Sequence, residues 1–341
     1  MSASSASSPP LPSRHDRRPR VYVTRHLEPA VEARLVELFD VTLNPSDVPL
    51  TRDRLAQAMQ ECDVIVPTVT DLLDADLIAN AGPDLKLIAS FGAGTDHIDL
   101  AAASRRRIFV TNTPGVFTDD TADLAMACII GVPRRVREGV ELVRQGEWTG
   151  WAPTALLGRK LAGKTLGIVG MGRIGQAVAH RARAFGLEIA YHNRRKLPAE
   201  AERMFGARYY GSLDELIAKA DILTLHCPSS ADNHHLLDRR RFALMKPGAS
   251  LVNTARGDLI DQEALIEALE DGRLAGAGLD VYPDEPEVDA RLIRHPNVMT
   301  LPHIGSATRE GREESGMKVI ANIRMWADGH RPPDQVLSAL A

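Results

Sequence analysis

The sequence predicts an α/β protein with two doubly wound parallel-sheet domains. Three observations carry that prediction. Short apolar runs rich in Val and Ile alternate with helical stripes along the chain, the pattern of parallel strands with helices on both faces. The alternation begins near residue 21 and restarts at residue 166. At the restart, Leu166-Gly167-Ile168-Val169 leads into Gly170-Met171-Gly172-Arg173-Ile174-Gly175, and a helical pattern follows at once. A chain of 341 residues is long enough for two such domains, each with its own core.

Residues 1–20 are rich in Ser and Pro, then basic through Arg14, Arg17, Arg18 and Arg20. They lack the apolar stretch of a secretory signal. The Ser and Arg content would suit a transit peptide, but the prolines oppose an amphipathic helix, and 1–20 reads as a disordered tail. Strands are predicted over 21–24, 41–43, 64–66, 85–90 and 108–111. Between them lie the stripes Val31, Leu35, Leu38, Phe39 and Leu55, Met59, Cys62, then a helix over 98–107. The turn Phe91-Gly92-Ala93-Gly94-Thr95-Asp96 follows the fourth strand. Residues 121–144 read as a long helical stretch that Pro133 bends or divides. Trp148 and Trp151 sit in the loop 146–153. Loop aromatics suit an interface or a pocket wall, and equally a fold back onto their own core.

In the second half, strands are predicted over 166–169, 188–192, 221–226, 250–254, 277–281 and 298–301. Six strands interleaved with helices make a full dinucleotide-binding sheet. A last helix over 309–326 precedes Gly329 and Pro332-Pro333.

The glycine run gives this sheet its ligand. Gly170 permits a tight turn out of the strand, Gly172 lets backbone approach a pyrophosphate, and Gly175 lets helix and strand pack closely. Ile174, Val178, Ala182 and Phe185 form the stripe of the helix that follows, and Gly186 closes it. A diphosphate would rest on the free N–H groups at the start of that helix. An NAD site usually carries an acid about 20 residues on, bonded to the ribose 2′-hydroxyl. Here the second strand ends Tyr191-His192-Asn193-Arg194-Arg195-Lys196, with no carboxylate. Asn193, Arg194 and Arg195 suit a 2′-phosphate, so NADP is preferred over NAD; the plainer reading is a solvated basic turn.

Ligands of open α/β sheets gather at the carboxyl ends of the strands. Asn253-Thr254-Ala255-Arg256-Gly257 follows one strand, Asp280 ends the next, Glu285 lies in the loop beyond, and His303 with Gly305-Ser306 follows the last. Arg can hold a carboxylate and polarise the neighbouring carbonyl. His can give a proton near neutrality, and a nearby carboxylate favours its charged form. Each residue alone reads as structural; three together beside a dinucleotide site read as catalytic.

Composition excludes other classes. Net charge is −4, with 44% hydrophobic and 25% charged residues, which gives no sign of a nucleic-acid or membrane partner. Cys62, Cys128 and Cys227 are isolated thiols, which suits a reducing compartment and core positions rather than disulfides. No metal-ligand spacing and no G-x-S-x-G elbow is present.

From about residue 21 to 335 the chain resembles the D-isomer-specific 2-hydroxyacid dehydrogenases, and within them the glyoxylate/hydroxypyruvate reductases. The resemblance rests on G-M-G-R-I-G at 170–175, N-T-A-R-G-D-L-I-D at 253–261, G-A-G-L-D-V-Y-x-x-E-P at 276–286 and L-P-H-I-G-S-A-T at 301–308. It implies that Arg256 binds substrate, that His303 is the acid/base and that Glu285 is its partner. It implies that Ala93 and Gly94 offer N–H groups to the substrate carboxylate, with Ser306 near substrate. Arg173 and Ile174 would meet the pyrophosphate, Cys227 and Pro228 the adenosine side, and Asp280 the nicotinamide amide. Thr254, Ala255 and Gly305 would line the dinucleotide as well.

The resemblance further implies a flavodoxin-like substrate domain, 21–118 with 306–335, and an inserted Rossmann domain, 119–305. The arm 119–153 would make a homodimer, from which Trp151 reaches the neighbour's pocket. The resemblance thus implies an NADPH-preferring, cytoplasmic reductase of glyoxylate and hydroxypyruvate. Rivals are 2-ketogluconate, phenylpyruvate and D-3-phosphoglycerate enzymes, and a non-catalytic dinucleotide sensor of the same fold. A formate dehydrogenase would pair its His with Gln. Two departures stand out: Asp96 is followed by His97 where the family commonly has Asn, and the acid after the second strand is missing. The short run after Trp326 leaves no room for the regulatory domain of many phosphoglycerate dehydrogenases.

Overall fold

The structure, a computed structural model, describes residues 17–336. Most of the predicted tail, 1–16, lies outside those residues. Its last four residues are no tail: Arg20 opens the first strand, and Arg17 and Arg20 both bond Asp63. The chain divides into two units, one ending at Val116 and resuming at Thr308, the other Phe117–Ala307.

The first unit holds β1 (Arg20–Val23), β2 (Asp40–Thr42), β3 (Val64–Val66), β4 (Leu87–Ala89) and β5 (Phe109–Thr111). They are all parallel, in the order β2-β1-β3-β4-β5. That is the flavodoxin-like order. β3 and β4 are apolar and buried throughout, as central parallel strands covered on both faces must be. Thr51, Asp74, Asp99 and Thr308 cap four helices by accepting from backbone N–H groups in the first turn. Helices Pro29–Leu38 and Arg309–Ala327 cross at Gly316, where a β-carbon would lie 2.4 Å from Val31.

The second unit holds β6 (Thr165–Val169), β7 (Glu188–His192), β8 (Ala207–Tyr209), β9 (Ile222–Leu225), β10 (Ala249–Asn253), β11 (Leu274–Leu279) and β12 (Val298–Thr300). This sheet is parallel too, in the order β12-β11-β10-β9-β6-β7-β8. The order is that of a dinucleotide-binding sheet with one further strand, and it reverses between β6 and β9. Two apolar clusters cover its faces, one around Leu223, Leu251 and Leu265, the other around Ile129, Ile168 and Val178.

Two local differences from the sequence reading, at β8 and β11, have physical causes, and the division at Pro133 follows that reading. β8 has no counterpart there: it is a three-residue edge strand with exposed Arg208 at its centre, too short to show a period. β11 starts at Leu274 and ends at Leu279, not over 277–281, because it runs through glycines that lack strand character. They serve close approach: a β-carbon on Gly276 would lie 2.4 Å from the Asn297 carbonyl oxygen, and one on Gly278 would lie 2.7 Å from Cys128. Pro133 divides the 121–144 stretch into helices Thr118–Gly131 and Val136–Arg144, with Arg135 between them at φ +54°. Among the described residues no helix is long and apolar enough to cross a membrane.

The start of β1 depends on one buried carboxylate. Burial pushes Asp63 up, but bonds from Arg20, Arg17 and the Arg20 N–H outweigh it and hold the group at about 2. Its side chain is 3% exposed. Asp63→Asn leaves two guanidinium groups facing a neutral amide and is predicted to cost on the order of 3 kcal/mol at pH 7. The folded group titrates below its unfolded counterpart, so its stabilisation is complete above about pH 4 and fades towards pH 2. Urea unfolding of both proteins across that range should show the difference narrowing as pH falls.

Candidate active site

The crevice between β6 and β9 is built by the glycine run. Gly170 leaves β6 at φ +96°, and a β-carbon there would lie 2.6 Å from the Cys227 nitrogen. Gly175 opens the helix Arg173–Ala184 so close to the strand that a β-carbon would stand 2.2 Å from the Gly170 carbonyl oxygen. A β-carbon on Gly172 would meet nothing within 4 Å. The first and third glycines are thus demanded by the fold, while the second faces open space. The helix has no side-chain cap and no acid in its first turn, which leaves its N–H groups and dipole to an anion. Arg173 is exposed at its start, and Ile174 packs partly on the core.

β7 ends against this loop. The Asn193 amide oxygen accepts from the Met171 N–H at 2.6 Å, so this side chain holds the glycine loop in place. Buried Tyr191 accepts from the Leu197 N–H and donates to Glu202, and the Tyr209 hydroxyl donates to the Asn193 carbonyl. The turn is therefore fixed. Lys196 pairs with Glu202 and lies over the Tyr209 ring. Arg194 and Arg195 are exposed, and among the described residues no carboxylate pairs with them. Across the crevice, Cys227 is partly buried, and burial pushes its thiol up to about 11; Pro228 is exposed. His226 beside them bonds Thr224, and burial pulls its imidazole down to about 3.

The ends of β10, β11 and β12 carry the three predicted catalytic residues. After β10, Asn253 donates to the Arg256 carbonyl and accepts from the Ala255 N–H, folding the Thr254–Arg256 turn back on itself. Thr254 is buried, and its hydroxyl has no partner within the protein. After β11, Asp280 is fully buried and accepts from the N–H groups of Ile304 and Gly305 at 2.8 and 2.7 Å. Burial pushes its carboxyl up, against those two bonds. After β12, His303 takes φ +54°, a left-handed conformation that costs a residue with a β-carbon roughly 1–2 kcal/mol. Its Nδ1 lies 2.7 Å from Glu285 Oε2, while Glu285 Oε1 accepts from the Tyr282 N–H. Burial pushes Glu285 up, but the His303 and Tyr282 bonds and the Arg256 charge outweigh it and hold its carboxyl below the usual range. Arg256 bonds its neighbour's carbonyl, that of Ala255, and its charge is felt at Glu285. The structure thus brings Arg256, Glu285, His303 and Asp280 into one electrostatic neighbourhood, with Gly305 and partly exposed Ser306 next in line.

A family model described as D-isomer specific 2-hydroxyacid dehydrogenase, NAD binding domain, matches residues 126–305. The chain belongs to the D-isomer-specific 2-hydroxyacid dehydrogenases. A glyoxylate reductase of Thermococcus litoralis is 44% identical to this dehydrogenase over 326 residues, covering 94% of this chain and 97% of that one. A solved glyoxylate reductase from Paecilomyes thermophila has TM-score 0.84 and 36% identity, covering 94% and 99% of the two chains. A solved NADPH-dependent glyoxylate/hydroxypyruvate reductase of Sinorhizobium meliloti, in complex with NADP and malonate, has TM-score 0.83 and 33% identity, covering 94% and 97%. The dehydrogenase is therefore an oxidoreductase that uses a nicotinamide dinucleotide. Its residues fit that group: the space over Gly172, the free helix start and the unpartnered Thr254 hydroxyl all suit a dinucleotide.

In the other unit, Gly92 accepts from the Thr113 N–H, and Asn112 donates to the Ala93 carbonyl, leaving Ala93 exposed and Gly94 partly so. Trp151 is 84% exposed and Trp148 is exposed as well, so these aromatics do not fold back on their own core. Tyr282 and Asn253 hold the site together, yet neither has a role in the sequence analysis. Asn253 had a visible signal, being a polar residue at the end of an apolar strand. Tyr282 had none, since a buried Tyr after a strand reads as core.

The glycines give a contrast to test. Gly172→Ala should leave the melting temperature near wild type but weaken dinucleotide binding in a fluorescence titration. Gly175→Ala should destabilise the protein by about 1–3 kcal/mol through overpacking, seen in chemical denaturation. Equal effects of the two would refute the separate roles.

Proposed function

We propose that this dehydrogenase is an NADPH-preferring reductase of small 2-oxo acids, glyoxylate first and hydroxypyruvate second. The observation that carries the proposal is the 2.7 Å His303–Glu285 pair beside Arg256, at the strand ends of a dinucleotide-binding sheet. Arg256 takes the substrate carboxylate and polarises the adjacent carbonyl. Glu285, kept ionised, fixes a proton on His303 Nδ1 and turns Nε2 towards substrate. When bound, the reduced dinucleotide supplies a hydride to the carbonyl carbon. His303 gives its Nε2 proton to the carbonyl oxygen. Ala93, Gly94 and Ser306 are assigned to the substrate carboxylate, and Arg173, Ile174, Cys227, Pro228, Thr254, Ala255, Asp280 and Gly305 to the dinucleotide.

NADP is preferred because exposed Arg194 and Arg195 stand at the end of β7 with no acid among the described residues pairing them, and an Arg fork suits phosphate. The Sinorhizobium meliloti enzyme is NADPH-dependent by name, and the glyoxylate reductases among the relatives support the substrate. The three isolated thiols suit the cytoplasm.

The proposed homodimer uses the arm. Its helix Val136–Arg144 buries no residue, and Val140, Val143, Trp148, Trp151 and Leu157 are exposed, an apolar surface that favours a partner. Trp151 is the residue assigned to the neighbour's substrate. Val140→Glu with Val143→Glu should move the mass measured by light scattering from dimer to monomer; a monomeric wild type would end this part of the proposal.

Steady-state reduction of glyoxylate, hydroxypyruvate, pyruvate and phenylpyruvate, each with NADPH and NADH, tests the whole. His303→Ala should lower kcat on the order of 100-fold or more, and Arg256→Ala should raise KM and lower kcat together. Arg194→Ala with Arg195→Ala should raise KM for NADPH and spare KM for NADH. Turnover with NADH alone would refute the cofactor preference, and unchanged turnover in His303→Ala would refute the acid.

A further inference from the structure

We infer that Tyr282 is a positioning residue that sets the three catalytic segments against one another. The inference rests on the site proposed above. Tyr282 is buried at 6% exposure within the core on one face of the second sheet, and it touches each segment by a different group. Its backbone N–H donates to Glu285 Oε1 at 3.0 Å. Its backbone carbonyl faces the Arg256 turn so closely that a β-carbon at Gly257 would lie 2.0 Å from the carbonyl carbon. Its hydroxyl lies 3.0 Å from the carbonyls of both Leu279 and Leu301, and accepts from the Leu301 N–H at 3.1 Å. Leu279 ends β11, and Leu301 stands two residues before His303.

The hydroxyl has one proton, shared between two carbonyls, and one acceptor role, filled by Leu301. Burial pushes this phenol up to about 12, so the proton stays on it across the working range. The ladder bond from the Leu301 N–H to the Leu279 carbonyl, at 2.8 Å, does not involve the side chain. Removing the hydroxyl therefore leaves the sheet paired and the ring in the core. What it removes is the clamp on the Leu301 carbonyl. From there the chain turns through Pro302 into the left-handed conformation of His303. His303 then has one fewer constraint holding its Nδ1 to Glu285. A displacement near 1 Å at such a site can cost on the order of 100-fold. The loss expected from one clamp among several is on the order of 10-fold.

The test compares wild type with Tyr282→Phe, and with 4-aminophenylalanine at position 282, which restores a donor at the same place. Dinucleotide binding by fluorescence shows that each protein is folded. The low-field proton resonance of the His303 Nδ1–H, assigned by its loss in His303→Gln, reports the bond to Glu285 without turnover. In Tyr282→Phe that resonance should move upfield and broaden, kcat should fall on the order of 10-fold, and KM for the dinucleotide should stay constant. The amino analogue should restore both signals. A wild-type resonance and kcat in Tyr282→Phe, with only the melting temperature lowered, would overturn the inference. If Tyr282→Phe does not fold, 4-fluorophenylalanine at position 282, which fills the place of the hydroxyl without a donor, decides instead: a displaced resonance upholds the inference, and a wild-type one in a folded protein overturns it. If the wild type reduces none of the 2-oxo acids, the functional reading fails, and the resonance still decides the role of Tyr282.

Discussion

Where a buried parallel strand ends, its backbone amides lose their ladder partners while still hidden from water. An amide left so costs about as much as a lost hydrogen bond, and that constraint shapes the whole second unit. Four polar side chains answer it. Asn193 takes the Met171 N–H, Asn253 folds over the Ala255–Arg256 turn, Asp280 takes two N–H groups, and the Tyr282 hydroxyl serves Leu279 and Leu301. The polar groups beyond this requirement, the Thr254 hydroxyl, Arg194 and Arg195, and His303, are those the proposed function gives to ligands. Structure and function are thus divided between neighbouring residues at the same strand ends.

Close approach is the second half of the same constraint. The strand ends converge only because glycines stand where backbones meet, at Gly170 against Cys227, at Gly175 against Gly170 and at Gly257 against Tyr282. Gly170 against Cys227 and Gly257 against Tyr282 join segments far apart in sequence, so a methyl group at either would push those segments apart, while Gly175 against Gly170 seats the helix on the strand that it follows. Gly172 differs: a β-carbon there would meet nothing within 4 Å.

Much of this was legible in the residues. The strand at 188–192 is legible to the residue, and the tight turn at Gly170 and the close packing at Gly175 follow from the run at 170–175. Buried parallel strands have a strong signature: continuous β-branched apolar runs with turn residues at each end. The reading failed where that signature is weak. β8 has three residues and a charge at its centre, and β11 trades β-branched residues for glycines that its neighbours require. Arg256, Glu285 and His303 stand out in the sequence because charged groups beside apolar strands are conspicuous. Tyr282 does not, because its hydroxyl bonds backbone atoms whose proximity no spacing rule reveals. The bond from the Met171 N–H to the Asn193 amide oxygen, which holds the glycine loop, is likewise invisible to any spacing rule.

The two carboxylates near His303 show how one neighbourhood sets two protonation behaviours. Asp280 is sealed away and pushed up, and its two N–H bonds offset only part of that burial. Glu285 is also pushed up by burial, yet His303, the Tyr282 N–H and the Arg256 charge together bring it below the ordinary range. The difference is the sign and number of charges each one faces. Asp280 faces two neutral amides, a distant His303 and the charge of Glu285, whereas Glu285 faces His303 directly and Arg256 beyond it. The carboxylate best kept ionised is therefore the one that touches the imidazole. The other, which spends its lone pairs on Ile304 and Gly305, fixes the backbone from which that imidazole projects. Separating the pair in this way lets one acid orient the proton on His303 while the other orients the chain that carries it.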